Sequence, residues 1–163
     1  WKDYDLLNKY SIGIEINNPG HDYGYKKFSL NQISSLKKLL KYLIRRYNIK
    51  LENILGHSDV APSRKKDPGE KFPWKILAKK RLCKWHNLKE KKLIKFRKVK
   101  LKKHEEDKFL KNLIKIGYLR KGFKRLNENK IWFAKAFQRR FRQGLVNGKI
   151  DKECYLISKN LVN

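Results

Sequence analysis

Behind Ser29, the apolar residues Leu30, Ile33, Leu36, Leu40, Leu43, Ile44 and Tyr47 recur at the three- and four-residue spacing of a single helix face. Ser29-Leu30-Asn31-Gln32 reads as a capping box, with Ser29 as N-cap and Gln32 three residues on. The pattern predicts an amphipathic helix to about Tyr47, and its apolar stripe needs another layer to pack against. The flanks offer two short strands. Ser11–Ile16 (S-I-G-I-E-I) alternates apolar with small or polar residues, the pattern of a half-buried strand, and Asn17-Asn18-Pro19-Gly20 breaks it into a turn. Ile49–Leu55 predicts a second strand, ending at Gly56-His57. A polar loop then runs from Ser58 to Phe72, and Pro73 at a first helical position opens a helix through Trp74, Ile76 and Leu77.

The second half reads differently. From His86 to His104 lysine dominates and apolar residues are sparse, as in a linker with some helix. Glu105–Ile116 carries Phe109, Leu110, Leu113, Ile114 and Ile116 at helical spacing, with Gly117 placed as a helix stop. Ile131–Phe141 puts Phe133, Ala134, Phe137 and Phe141 on one face, and Gly144 and Gly148 mark turns. Asp151 caps a last helix with Cys154, Tyr155, Ile157 and Leu161. Three short helices around a small core are therefore expected.

Composition limits the partners only loosely. Lys and Arg number 43 against 15 Asp and Glu, a net charge of +28 over 163 residues. Nucleic acid, a membrane surface or an acidic wall polymer would all attract such a chain. The wealth of Lys, Asn and Ile, with little Ala, also follows from coding bias alone. The charge is spread along the chain and no zinc finger or aromatic RNA-binding motif accompanies it, so nucleic acid is not expected as a partner. No apolar run is long enough for a membrane span. The two cysteines, Cys83 and Cys154, form no CxxC pair, so neither a disulfide nor a cysteine metal site follows from them. The chain contains no Met and starts at Trp1, so it is read as a fragment or a processed form.

The chemistry lies in Gly56–Trp74, G-H-S-D-V-A-P-S-R-K-K-D-P-G-E-K-F-P-W. His57, Asp59, Arg64, Lys65 and Asp67 share this loop. Imidazole and carboxylate are ligands of catalytic zinc, which takes three protein ligands and leaves a position for water. On spacing alone a polar surface loop is the favoured reading.

The whole string resembles the G-H-S-D-x-A-P-x-R-K-x-D-P-G motif of the bacterial zinc N-acetylmuramoyl-L-alanine amidases of the type-2 family, related in fold to peptidoglycan-recognition proteins. Upstream, Leu7-Asn8-Lys9-Tyr10-Ser11-Ile12-Gly13-Ile14-Glu15 resembles the family's L-N-x-x-S-I-G-I-E. The resemblance implies that His57 and Asp67 are zinc ligands. It implies that Lys65 stabilises the developing oxyanion and that Glu15 acts on the zinc-bound water. The family's first ligand, a His on an early strand, would lie upstream of Trp1, so weak zinc binding and poor turnover are expected of this chain alone. Arg64 is a candidate for gripping a stem-peptide carboxylate, with a surface salt bridge as the alternative.

The order Gly117-Tyr118, Ala136-Phe137-Gln138 and Gly148-Lys149-Ile150-Asp151 resembles the three-helix peptidoglycan-binding domain appended to cell-wall hydrolases. The resemblance implies tethering to the wall, with simple packing on the catalytic half as the alternative. The expected fold is α/β, a mixed sheet flanked by helices with its N-terminal strand missing, followed by a small all-α three-helix domain. The expected division is a catalytic part at 1–85, a basic linker at 86–104 and a peptidoglycan-binding-like part at 105–163. The implied activity is zinc-dependent cleavage of the amide between N-acetylmuramic acid and L-alanine, on peptidoglycan or muropeptides, in the cell envelope at the periplasm, with the cytoplasm as the alternative. The alternative is a non-catalytic peptidoglycan-recognition protein. Oligomeric state is left open.

Overall fold

The computed structural model describes residues 1–2, 6–119 and 126–163. Among them lie the helices α1 (Leu30–Tyr47), α2 (His57–Val60), α3 (Trp74–Lys79), α4 (Glu90–Leu93), α5 (Lys103–Ile116), α6 (Leu126–Phe141) and α7 (Lys152–Val162). Short 3-10 turns occupy Leu7–Lys9, Leu51–Asn53 and Ile94–Phe96.

Local chemistry sets the helix ends. At α1 the Ser29 hydroxyl accepts from the Gln32 amide, and the Gln32 side chain accepts from the Ser29 amide. At its far end Asn48 turns left-handed (φ 49°) and the Ile49 amide closes onto the Ile44 carbonyl at 3.1 Å. Gly117 ends α5 at φ 120°, where an L side chain would be strained. The Asp151 carboxylate caps α7 by accepting from the Cys154 amide at 3.0 Å.

The expected mixed sheet is absent: the described residues contain no strand. Ser11–Ile16 passes without a helix or a ladder, although Ile14 and Ile16 do pack inward. Leu51–Asn53, inside the second expected strand, is a 3-10 turn. Alternation specifies which face of a segment is apolar. A strand also needs a neighbour to exchange backbone hydrogen bonds with, and among the described residues no backbone–backbone bond joins Ser11–Ile16 to another segment.

Two apolar clusters form the interior. In the first, Ile33, Leu36 and Leu40 of α1 meet Phe72, Trp74, Leu77, Leu82 and Cys83. Full burial of a side chain such as Leu77 contributes about 1.5–3 kcal/mol. In the second, Leu93 joins Phe109 and Leu113 of α5, Phe137 and Phe141 of α6, and Ile157 and Leu161 of α7. Trp85 packs against both clusters and lies 5.6 Å from the Phe141 ring, centroid to centroid. The segment after it is also anchored: Arg97 forks onto Glu153 at 2.7 and 3.0 Å. Cys83 and Cys154 are both buried and free. No helix among the described residues is long and apolar enough to cross a membrane.

Candidate functional site

Gly56 opens α2, and His57 is its first residue. The helix is only one turn long because Ala61 leaves helical geometry, its amide closing onto the His57 carbonyl at 2.9 Å. The Arg64 and Lys65 amides then both close onto the Ala61 carbonyl, at 3.2 and 3.0 Å. These successive turns fold the loop back on itself. The Ser58 amide donates to the Asp67 carbonyl at 2.8 Å, which ties the two ends of the loop together. As a result His57 Nδ1 stands 3.1 Å from Asp67 Oδ2, ten residues on, with both side chains substantially exposed.

The close approach depends on Gly56. A Cβ there would stand 2.7 Å from Pro68 Cδ and 3.1 Å from Trp74 Cζ2. On the far side of the loop, the Tyr25 hydroxyl donates to the Pro68 carbonyl at 2.6 Å and accepts from the Lys71 amide at 2.8 Å. Burial pushes the Tyr25 phenol up to about 12, with the nearby Glu70 charge adding to the rise. It therefore stays protonated as a donor. His21 stacks on Tyr25 and lies 3.0 Å from Glu70.

Beneath His57 sits a buried polar cluster. Asp59 accepts from the Gly56 amide at 2.8 Å, from the Tyr118 hydroxyl at 2.5 Å and from Arg140 Nη1 at 2.6 Å. Arg140 Nη2 also reaches the Ile54 carbonyl at 2.8 Å. Burial works against the Arg140 charge, but the adjoining Asp59 carboxylate holds the guanidinium above its ordinary value. Burial, reinforced by the same carboxylate, raises the Tyr118 phenol well above its usual range, so it remains a donor.

The structure thus brings His57 and Asp67 together. Lys65 is half-buried two residues before Asp67, while Arg64 is exposed. Glu15 is exposed, between the inward-packed Ile14 and Ile16. No hydrogen bond or ion pair joins the Glu15, Arg64 or Lys65 side chains to His57 or Asp67. Among the described residues no third His, Cys, Asp or Glu completes a metal-binding group with that pair. Sequence reasoning missed the roles of Tyr25, Tyr118 and Arg140. The one available signal was an acid, Asp59, three residues after Gly56, where a carboxylate caps a helix start.

The sequence model of the N-acetylmuramoyl-L-alanine amidase family matches residues 2–70, which include Glu15, His57, Lys65 and Asp67. The chain is 34% identical over 167 aligned residues to the N-acetylmuramoyl-L-alanine amidase AmiD of Escherichia coli (strain K12), covering 99% of this chain and 60% of the relative. It is 42% identical over 74 residues to the 1,6-anhydro-N-acetylmuramyl-L-alanine amidase AmpD of Enterobacter cloacae, covering 43% of this chain and 35% of that one. Among solved structures it superposes on E. coli AmiD in complex with the substrate anhydro-N-acetylmuramic acid-L-Ala-D-gamma-Glu-L-Lys. The TM-score is 0.81 at 34% identity, over 99% of this chain and 65% of that one. The chain therefore spans less than two thirds of the length of these relatives.

Proposed function

From the membership of residues 2–70 in the N-acetylmuramoyl-L-alanine amidase family, we propose that this chain is part of a zinc amidohydrolase. Its substrate is the amide between the lactyl group of N-acetylmuramic acid and L-alanine of the stem peptide, in peptidoglycan or its muropeptide fragments. The observation that carries the reading is the His57–Asp67 pair. Two donors about 2.0–2.1 Å from a tetrahedral zinc ion stand about 3.3 Å apart, and these two stand at 3.1 Å. The donor types and their spacing fit two ligands of such a site, and the family resemblance calls for a third.

The remaining roles divide by charge. Zinc, when bound, supplies an acidified water and an electrophile for the scissile carbonyl. His57 and Asp67 would hold it. Glu15, solvent-exposed and carried between two anchored isoleucines, takes the proton of the attacking water and passes it to the departing L-alanine amine. Lys65 stabilises the negative charge that develops on the carbonyl oxygen. Arg64 offers its planar fork to a carboxylate of the stem peptide. We assign 1–85 to catalysis, 86–104 to the connection and 105–163 to a peptidoglycan-binding-like part. A wall polymer as substrate favours the cell envelope, in a periplasm, whereas a substrate restricted to recycled muropeptide fragments would favour the cytoplasm.

The test is to incubate the protein, produced from its natural start, with zinc and a purified anhydro-muropeptide, and to identify the products by mass spectrometry. Free peptide beginning with L-alanine is expected. It should be lost on chelation and lost in Glu15→Gln with zinc still bound. An intact muropeptide after incubation with folded, zinc-loaded protein would refute the enzyme and leave a recognition protein.

A further inference from the structure

We infer that Arg140, on α6 in the C-terminal half, is a positioning residue for the His57–Asp67 pair in the N-terminal half. The inference rests on the proposed reading of that pair as a metal site. The Arg140 and Asp59 side chains are 3% and 1% exposed, 81 residues apart in sequence. Through one guanidinium run the fixed points on both sides of His57. Nη2 holds the Ile54 carbonyl, and Nη1 holds the Asp59 carboxylate. The same Asp59 oxygen, Oδ2, accepts from the Gly56 amide. The Ser58 amide then carries the register to Asp67. Trp74, whose ring lies 4.3 Å below the Arg140 guanidinium carbon, fixes the orientation of the fork.

The physical argument is one of unpaired charge. Without Arg140, Asp59 would be a buried carboxylate with only the Gly56 amide and the Tyr118 hydroxyl as partners, and losing one member of a buried ion pair is strongly destabilising. The carboxylate would turn toward water. That turn would loosen the Gly56 amide, which donates to Asp59 Oδ2 at 2.8 Å, and His57 lies between Gly56 and Ser58. Misplacing a group by about 1 Å at a reacting centre can cost about 100-fold in rate. The residue just past α6 offers an internal control. Arg142 and Asp151 form an equally buried pair at 2.8 Å, but they hold residues after the helix and do not touch the His57 turn.

The experiment compares Arg140→Met, Arg140→Lys, Asp59→Asn and Arg142→Met in the whole protein. Three readings are taken: hydrogen exchange of the Gly56 amide without metal, zinc affinity by chelator competition, and kcat and KM on an anhydro-muropeptide. Arg140→Met should speed Gly56 exchange and weaken zinc binding by about 10–100-fold, the usual effect of losing a partner behind a metal ligand. It should lower kcat while leaving KM within about twofold, because substrate contacts are untouched. Arg140→Lys, which keeps the charge but not the fork, should restore part of each loss. Arg142→Met should lower the melting temperature but leave Gly56 exchange and zinc affinity at wild-type values.

Wild-type Gly56 protection in Arg140→Met would overturn the inference, as would equal losses in Arg142→Met. If Arg140→Met does not fold, Arg140→Lys and Asp59→Asn decide by the same readings. If the wild-type protein neither binds zinc nor cuts, the proposed function fails on its own, and Gly56 exchange still decides whether Arg140 positions the turn.

Discussion

Replacing Gly56 by alanine should destabilise the fold and open the candidate site together. The backbone at Gly56 (φ −90°, ψ 159°) is one that any residue adopts, so the cost is steric alone. The new methyl would stand 2.7 Å from Pro68 Cδ and 3.1 Å from Trp74 Cζ2. Carbon pairs rest at about 3.5–4.0 Å, so the Pro68 side has to retreat by roughly 0.8 Å. Neither neighbour yields easily. Pro68 is a ring, and Trp74 is 4% exposed with the Arg140 guanidinium stacked on it. Overpacking of this kind costs about 1–3 kcal/mol. For a chain of this size about 1 kcal/mol shifts the melting temperature by roughly 2–4 °C, so a fall of about 2–12 °C is expected. Because Pro68 follows Asp67, its retreat should widen the His57–Asp67 gap and weaken zinc binding in the same variant. Thermal unfolding by circular dichroism would read the first effect, beside Gly13→Ala, whose added methyl meets nothing within 4 Å. A Gly56→Ala melt within about 1 °C of wild type would refute the reasoning.

Gln138→Leu should cost about 2–4 kcal/mol in urea unfolding, because the fully buried Gln138 oxygen accepts from the Asn147 and Gly148 amides and its nitrogen donates to the Lys149 carbonyl. Burial, offset in part by Glu90, lowers the His86 pKa from 6.5. Below pH 6.5 the unfolded chain takes up a proton that the folded one resists. Stability should therefore fall as pH drops from 6.5 toward the folded pKa, with a slope of at most about 1.4 kcal/mol per pH unit from this group, and the slope should shrink in His86→Leu. Burial pushes the Cys83 and Cys154 thiols up to about 11 and about 12. A thiol reagent at pH 8 should label neither in the native protein and both in denaturant.

The helices were legible because their signals are local. Ser29 and Gln32 announce the start of α1, Asp151 announces α7, and the apolar spacing between caps marks the buried face. Ser11–Ile16 shows the limit of such reading: alternation of residues carries no information about whether a partner strand lies alongside. The site divides in the same way. His57 and Asp67 sit within one loop of recognisable type, and the turns that join them involve only neighbours. The support behind them comes from Tyr118 and Arg140, distant in sequence. Arg140 does not stand out in a chain so rich in Lys and Arg, and Tyr118 reads only as part of the Gly117-Tyr118 element of the C-terminal half. Tyr25 was hidden for a different reason, since its role is to bind backbone groups at Pro68 and Lys71, whose demand no side-chain pattern reveals.

The central claim is that His57 and Asp67 bind one zinc ion between them. The direct measurement is zinc stoichiometry and affinity, by metal analysis and chelator competition, for the protein from its natural start and for His57→Ala and Asp67→Ala. One zinc per chain is expected, with each variant weakened by about 100-fold or more, since each loses one of the protein ligands outright. Variants that fold and retain wild-type zinc affinity would contradict the account, because the ion would then be bound elsewhere.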